Sequence, residues 1–110
     1  ERVHVKNSVF WNAEWGNALE IDYETRCEEI REVVFEDSDI IHCEFEGYQS
    51  GGTFTIHNGD RAVVSGVRYE NIRVEDSQEK LIDIKVLHAQ YSRDEERGQG
   101  AGFHRFILWT

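Results

Sequence analysis

The sequence predicts an all-β domain built as a parallel β-solenoid of about three to four coils. Three observations point there: a repeat of about 30 residues, two short strand-like units in each repeat, and no amphipathic helical stretch longer than two turns. The repeat is carried by Val3-His4-Val5-Lys6-Asn7-Ser8-Val9-Phe10, Val33-Val34-Phe35-Glu36-Asp37-Ser38-Asp39-Ile40 and Val67-Arg68-Tyr69-Glu70-Asn71-Ile72-Arg73-Val74. In each copy two apolar residues flank a variable position, a charged residue follows, then Asn or Asp, and an apolar residue returns three places later. Such period-2 alternation is the signature of a strand with one buried face.

Asn7, Asp37 and Asn71 fall where the chain is expected to bend. A short polar side chain bonds nearby backbone groups in a turn, and here it is expected to stack on its counterpart in the next repeat. The second unit of each repeat is Ala18-Leu19-Glu20-Ile21-Asp22, Phe54-Thr55-Ile56-His57-Asn58 and Leu81-Ile82-Asp83-Ile84-Lys85-Val86. The middle repeat is longer by about the size of the glycine-rich stretch Gly47-Tyr48-Gln49-Ser50-Gly51-Gly52. A degraded fourth copy is expected from Phe103, after a polar loop. The whole chain 1–110 therefore reads as one domain, with clear repeats over 3–86, the loop over 89–100 and a divergent tail over 101–110. One coil cannot bury its apolar row alone, whereas coils stacked about 4.8 Å apart bury a continuous core. An antiparallel sandwich is the competing architecture. Against it, no Asn-Gly or Asp-Gly turn joins adjacent strands, since Asn58-Gly59 leads into a long connection.

Composition narrows the function classes. With 22 acidic and 12 basic residues the net charge is −10 and the isoelectric point about 4.8, so phosphate backbones and anionic lipid surfaces are not expected partners. The three Trp, four Tyr and six Phe supply a core, and no apolar run is long enough to span a membrane. Met is absent and Glu1 is large and charged, so the sequence is read as part of a longer chain or as one from which leader residues are missing, and no compartment is assigned. Cys27 and Cys43 lie outside any C-x-x-C pattern, which leaves two thiols or a single disulfide open.

Val5-Lys6-Asn7-Ser8-Val9-Phe10-Trp11-Asn12, Trp15-Gly16-Asn17-Ala18-Leu19-Glu20-Ile21, Asp39-Ile40-Ile41-His42, Asn58-Gly59-Asp60-Arg61-Ala62 and Tyr69-Glu70-Asn71-Ile72 resemble the later coils of right-handed parallel β-helix proteins. The nearest group is the polygalacturonase-like glycoside hydrolases of the pectin-lyase-like superfamily. The resemblance spans roughly residues 2–95 and implies a right-handed β-helix of carbohydrate-active ancestry. That family's Asn-Thr-Asp and Asp-Asp motifs do not occur in this chain. Gly16-Asn17-Ala18 stands where a Gly-His-Gly is expected, and Thr55-Ile56-His57 replaces an Arg-Ile-Lys. The family's catalytic set is therefore not carried over, and the chain reads as a carbohydrate-related module more suited to binding than to acting alone.

Strand alternation provides its own candidates. If Leu19 and Ile21, Phe54 and Ile56, and Ile82 and Ile84 face the core, their neighbours form two outward columns, Glu20–Thr55–Asp83 and Asp22–His57–Lys85. Positions i and i+2 of a strand lie about 6.5–7 Å apart, which sets Glu20 and Asp22 near the roughly 6.5–9.5 Å used in inverting glycoside hydrolysis. Glu20 is then the candidate acid, Asp22 the candidate base, and His57 a proton shuttle or sugar-binding donor. The same residues also fit a charge ladder that only stabilises the sheet. Trp11 and Trp15 are candidate sugar-stacking rings or core caps. Asn58 and Asp60 are candidates for ligand contact or for a turn, and Lys85 closes the second column. His42 and Glu44 form an H-x-E pair and the remaining histidines are isolated, so spacing assigns no metal site, and no cofactor is expected. The expected partners are a saccharide and a second copy of the chain, the latter joined through the open ends of the solenoid.

Overall fold

The computed structural model describes residues 2–12, 17–22, 24–44, 51–78 and 80–86. Its strands are β1 (Val3–Lys6), β2 (Val9–Asn12), β3 (Leu19–Ile21), β4 (Glu29–Cys43), β5 (Gly52–Asn58), β6 (Val63–Val74) and β7 (Lys80–Val86). No helix occurs among the described residues, so none is long and apolar enough to cross a membrane. The chain alternates between two sheets. In the first, β4 pairs with β1 and β2 on one side and with β6 on the other; the second runs β3-β5-β7. Every one of these pairings is parallel. Parallel neighbours require crossovers, and each crossover here carries a strand of the opposite sheet, which excludes the hairpin-built sandwich.

The register matches the sequence repeats residue for residue. Val3 pairs Val33 and Val33 pairs Val67; Val5, Phe35 and Tyr69 form a second row, and Phe10, Ile40 and Val74 a third. The second sheet sets Leu19, Phe54 and Ile82 in one row and Ile21, Ile56 and Ile84 in another. Successive passes through the first sheet are offset by 30 and then 34 residues, as the side-chain bonds Ser8–Ser38 and Asn71–Asp37 record.

Two columns of left-handed residues turn the chain. Asn7, Asp37 and Asn71 have φ of 52°, 49° and 51°, and Asn71 Nδ2 donates to Asp37 Oδ1 at 2.7 Å. This conformation costs most L-residues roughly 1–2 kcal/mol, and Asn and Asp visit it most readily because their side chains bond locally. The second column went unread in the sequence: Glu32 (φ 55°) beside Gly66 (φ 60°), between the pairs Arg31–Ser65 and Val33–Val67. The exposed Glu32 carboxylate pairs with Arg2 of the preceding pass. Pairing resumes after each bend, so β4 and β6 run to 15 and 12 residues, longer than alternation alone suggested.

Leu19, Val33, Phe35, Ile40 and Cys43 form the buried cluster between the sheets, with Val5, Phe10, Phe54 and Tyr69 packed against it. Phe35 stacks on its register partner Tyr69 at 5.3 Å with planes 6° apart, and Phe54 reaches Tyr69 from the second sheet at 4.7 Å. Aromatic pairs of this kind contribute about 0.5–1.5 kcal/mol beyond the area they bury. Cys27 and Cys43 are not joined by a disulfide. Ile82, expected inside, is 38% exposed because β7 has no neighbour beyond it among the described residues. The polar loop 89–100, the tail 101–110 and Gly47 to Ser50 lie outside the described residues.

Tyr69 places its hydroxyl in this core with no hydrogen-bond partner among the described residues, and burial pushes its pKa up to about 12. A buried, unbonded hydroxyl destabilises by about 1–3 kcal/mol. Tyr69→Phe is therefore expected to raise the unfolding free energy by about 1 kcal/mol, read as a higher urea midpoint at unchanged slope. A comparable loss of stability would show that the hydroxyl has a partner.

Candidate functional site

The second sheet brings the two expected columns into register. Glu20 pairs Thr55, Thr55 pairs Asp83, and His57 pairs Lys85. Asp22 follows Ile21, whose partner Ile56 precedes His57, and so its carboxylate comes beside the imidazole, with Asp22 Oδ1 3.9 Å from His57 Nδ1. One donor atom each from Glu20, Asp22 and His57 lies within 4.8 Å of the other two.

Two expectations about these columns are corrected. First, the face is not open to solvent: Thr55, His57 and Asp83 are 0%, 2% and 7% exposed, leaving Glu20 and Asp22 as the exposed members. β5 is the middle strand of its sheet and is buried on both faces, as parallel strands commonly are. Thr55 tolerates this because its hydroxyl donates to the Gly52 carbonyl at 2.9 Å and accepts from the Gly52 N–H at 3.1 Å. Second, Glu20 and Asp22 bring one carboxylate oxygen each within 4.8 Å of the other, nearer than the roughly 6.5–7 Å strand spacing alone implies. β3 ends at Ile21, so Asp22 lies one residue beyond the paired strand.

Asp83 anchors the cluster from behind. Its Oδ2 lies 2.8 Å from His57 Nε2 and 3.0 Å from Lys85 Nζ, and Lys80 Nζ is 3.6 Å from its Oδ1. Burial pushes the Asp83 carboxyl up, but the bonds from His57 and Lys85, with the charges of both lysines, outweigh it and hold the group below the usual carboxylate range. An ionised Asp83 accepts a hydrogen bond from the His57 Nε2–H, which leaves Nδ1 on the side of Asp22. Glu20 goes the other way. Its partial burial, joined by the nearby negative charge of Asp22, raises its carboxyl, while a bond from Asn17 and the proximity of His57 lower it by less. Asn17 donates to Glu20 Oε1 at 2.5 Å and accepts from the Gly52 N–H at 2.8 Å. Gly52 is required there, since a Cβ would come 2.7 Å from the Lys80 carbonyl oxygen.

The remaining sequence candidates do not join the cluster as ligand contacts. Lys85 sits beside His57 but is bound to Asp83. Asn58 and Asp60, both fully buried, build the turn after β5: Thr25 Oγ1 donates to Asn58 Oδ1, Asn58 Nδ2 donates to the Ala62 carbonyl, and the Asp60 N–H donates to Thr25 Oγ1. Trp11 is 69% exposed on β2, in the other sheet, with its ring 5.4 Å from His42. Trp15 lies outside the described residues. Sequence reasoning placed Asp83 in a column but gave it no role, although Lys80 and Lys85 on its own strand were a readable sign of a stabilised carboxylate. Asn17 left no such sign.

A second histidine cluster has different chemistry. His42 Nδ1 lies 2.8 Å from Asp76 Oδ2 and Nε2 lies 3.1 Å from Glu44 Oε2, so each ring nitrogen faces a carboxylate at hydrogen-bond distance. The bonds to Glu44 and Asp76 raise the His42 pKa above the ordinary imidazole value. An open groove of about 420 Å³ bounded by Arg2, His4, Glu32 and Arg68 lies on the first sheet and shares no residue with either cluster.

No family model matches the chain, and neither a curated protein nor a solved structure matches it.

The His42 network makes a pH prediction. A pKa raised on folding contributes stability that is full below the unfolded value of about 6.5 and is lost as pH rises through the native value. The stability advantage of the native protein over His42→Gln is thus expected to be largest at about pH 5.5–6 and to shrink toward about pH 8, in urea titrations across that range. A difference that does not change with pH would refute the charged bridge.

Proposed function

We propose that the chain is a short right-handed parallel β-helix whose second sheet carries a saccharide-binding rim, and that it is not a complete hydrolase by itself. The β-helix reading is supported by the offsets of 30 and 34 residues, the all-parallel pairing and the two columns of left-handed corners. The binding reading rests on one observation: exposed Glu20 and Asp22 stand side by side in front of the buried His57–Asp83 pair. Carboxylates fixed this way accept hydrogen bonds from adjacent sugar hydroxyls, and the buried pair keeps the rim from rearranging. With carboxylates at the rim and a net charge of −10, a neutral saccharide suits the site better than a polyuronate.

Calorimetric titration with neutral plant and microbial oligosaccharides, beside an oligogalacturonate, tests this reading. Binding to a neutral oligosaccharide is expected, weakened at least about tenfold in Glu20→Gln or Asp22→Asn. No reducing sugar is expected to be released. Failure to bind any member of the panel would remove the reading. Release abolished by Glu20→Gln would replace it with a hydrolase.

A second reading is favoured by the sheet edges. Val3, Val9 and Trp11 are exposed on β1 and β2, while Leu81, Ile82 and Val86 are exposed on β7. Both sets belong to strands that pair on one side only among the described residues, and such edges template pairing with another chain. Self-association that is weakened by Val9→Lys with Trp11→Lys, measured by sedimentation across a concentration series, supports an assembly module. A monomer at every concentration rejects it.

A further inference from the structure

We propose that Glu20, Asp22 and His57 form a site for a divalent first-row transition-metal ion, with Asp83 as the carboxylate that orients the histidine. The inference goes beyond saccharide binding and stands without it. Its basis is the convergence of one imidazole nitrogen and two carboxylate oxygens, from β3, the segment following it and β5, within 4.8 Å of one another. An ion bound at about 2.0–2.2 Å from each ligand atom needs these atoms about 3–3.5 Å apart. The observed 3.9 Å between Asp22 Oδ1 and His57 Nδ1 would close by about 0.4–0.9 Å, and a pair at the 4.8 Å bound by about 1.3–1.8 Å, movements taken up by the exposed Glu20 and Asp22 side chains.

A second observation separates this cluster from a chance grouping of acids. Metal-bound histidines characteristically donate their other ring N–H to a carboxylate, which fixes the tautomer and the ring plane. His57 Nε2 lies 2.8 Å from the buried Asp83 Oδ2, and Lys80 and Lys85 hold Asp83 in place. The contrast with His42 is instructive. There both ring nitrogens face carboxylates at 2.8 and 3.1 Å, so a proton on each nitrogen satisfies the cluster. At His57, Nε2 is bound to Asp83, Nδ1 lies 3.9 Å from Asp22 Oδ1, and a Glu20 oxygen completes a group of ligand atoms within 4.8 Å.

The donor set also selects the ion. Ca²⁺ and Mg²⁺ take oxygen ligands, whereas one imidazole with two carboxylates suits Zn²⁺ or Mn²⁺. Three protein ligands leave at least one coordination position, on the side where Glu20 and Asp22 are exposed. Spacing along the chain assigned no metal site because the ligands come from two separate passes, brought together only by the β3–β5 register.

The test uses the full chain, stripped of metal and titrated with Zn²⁺, Mn²⁺ or Ca²⁺ against a chromophoric chelator, with no saccharide present. One Zn²⁺ per chain is expected, bound more tightly than Ca²⁺. Glu20→Gln and Asp22→Asn, both at exposed positions, should each weaken Zn²⁺ binding at least about tenfold, and Asp83→Asn by about 10–100-fold. His42→Gln should leave binding unchanged. The ring-nitrogen resonances of His57 report the site directly: Zn²⁺ should shift Nδ1 while Nε2 keeps its proton. Absence of stoichiometric Zn²⁺ binding, binding that survives both carboxylate replacements, binding lost instead in His42→Gln, or a His57 Nδ1 signal that does not move would each overturn the proposal. A failure here leaves the saccharide titration untouched, so the two readings fail separately.

Discussion

The parallel register of β4 with β1 and β2 on one side and β6 on the other constrains everything else in the molecule. A side-chain period of two means that a slip of one residue would send each apolar row to the opposite face. The rows Val3–Val33–Val67 and Val5–Phe35–Tyr69 hold only if each pass of the chain bends at the same height. The left-handed column Asn7–Asp37–Asn71 enforces that height, and the bond from Asn71 to Asp37 ties one bend to the next. Because the first sheet is pinned this way, each connection delivers β3, β5 and β7 to the second sheet with Glu20, Thr55 and Asp83 in line. The candidate site is thus a product of a register set on the opposite face of the core.

The candidate site on that second sheet is organised around an ionised group held away from water. A buried carboxylate is expensive unless it is paired and hydrogen-bonded. Asp83 meets that demand with His57, Lys80 and Lys85, three partners around one carboxyl. Each partner is fixed in return, and His57 becomes a rigid support for Glu20 and Asp22, which remain at the surface. Replacing Asp83 would therefore disturb two things at once, the fold of β5 against β7 and the aim of the imidazole. For this reason the exposed carboxylates report on the site more cleanly than the buried ones.

The repeat itself was readable because like residues occupy like positions: Val, Phe and Tyr rows, and Asn or Asp at the corner, are patterns that one sequence can display. The pairing of β3 with β5 and of β5 with β7 followed from the same alternation. Other features depended on information that alternation does not contain. Glu32 gives no local sign of a left-handed bend; its partner Gly66 did, but a single glycine within a strand pattern admits several explanations. Alternation assigns Thr55 and His57 to the face away from Leu19 and Ile56, and it cannot say whether that face is wet. They are buried on the central strand β5, where the Thr55 hydroxyl is bonded to Gly52 and His57 Nε2 to Asp83, partners that sequence spacing does not encode. Asn58 and Asp60 admit a ligand role beside the favoured turn until Thr25, from the preceding pass, is seen to bond both.

Edge strands make the final tension in the molecule. Natural sheets protect a free edge with charges, lysine above all, which deter pairing with another chain. β7 has lysines at both ends, Lys80 and Lys85, but both are directed to Asp83, and Lys85 is mostly covered by its neighbours. Lys85 is thus drawn toward the carboxylate that supports the site, while Lys80 stays half exposed and Leu81, Ile82 and Val86 are exposed beside it. On the opposite edge, His4 is likewise engaged, by Glu36 of the next pass, and Val3, Val9 and Trp11 are left uncovered. What still opposes association is the net charge of −10, a long-range repulsion that salt screens beyond about 8–10 Å. Apolar edge contacts are not screened. For the proposed self-association, the balance between the two edges and the overall charge therefore shifts toward pairing as ionic strength rises.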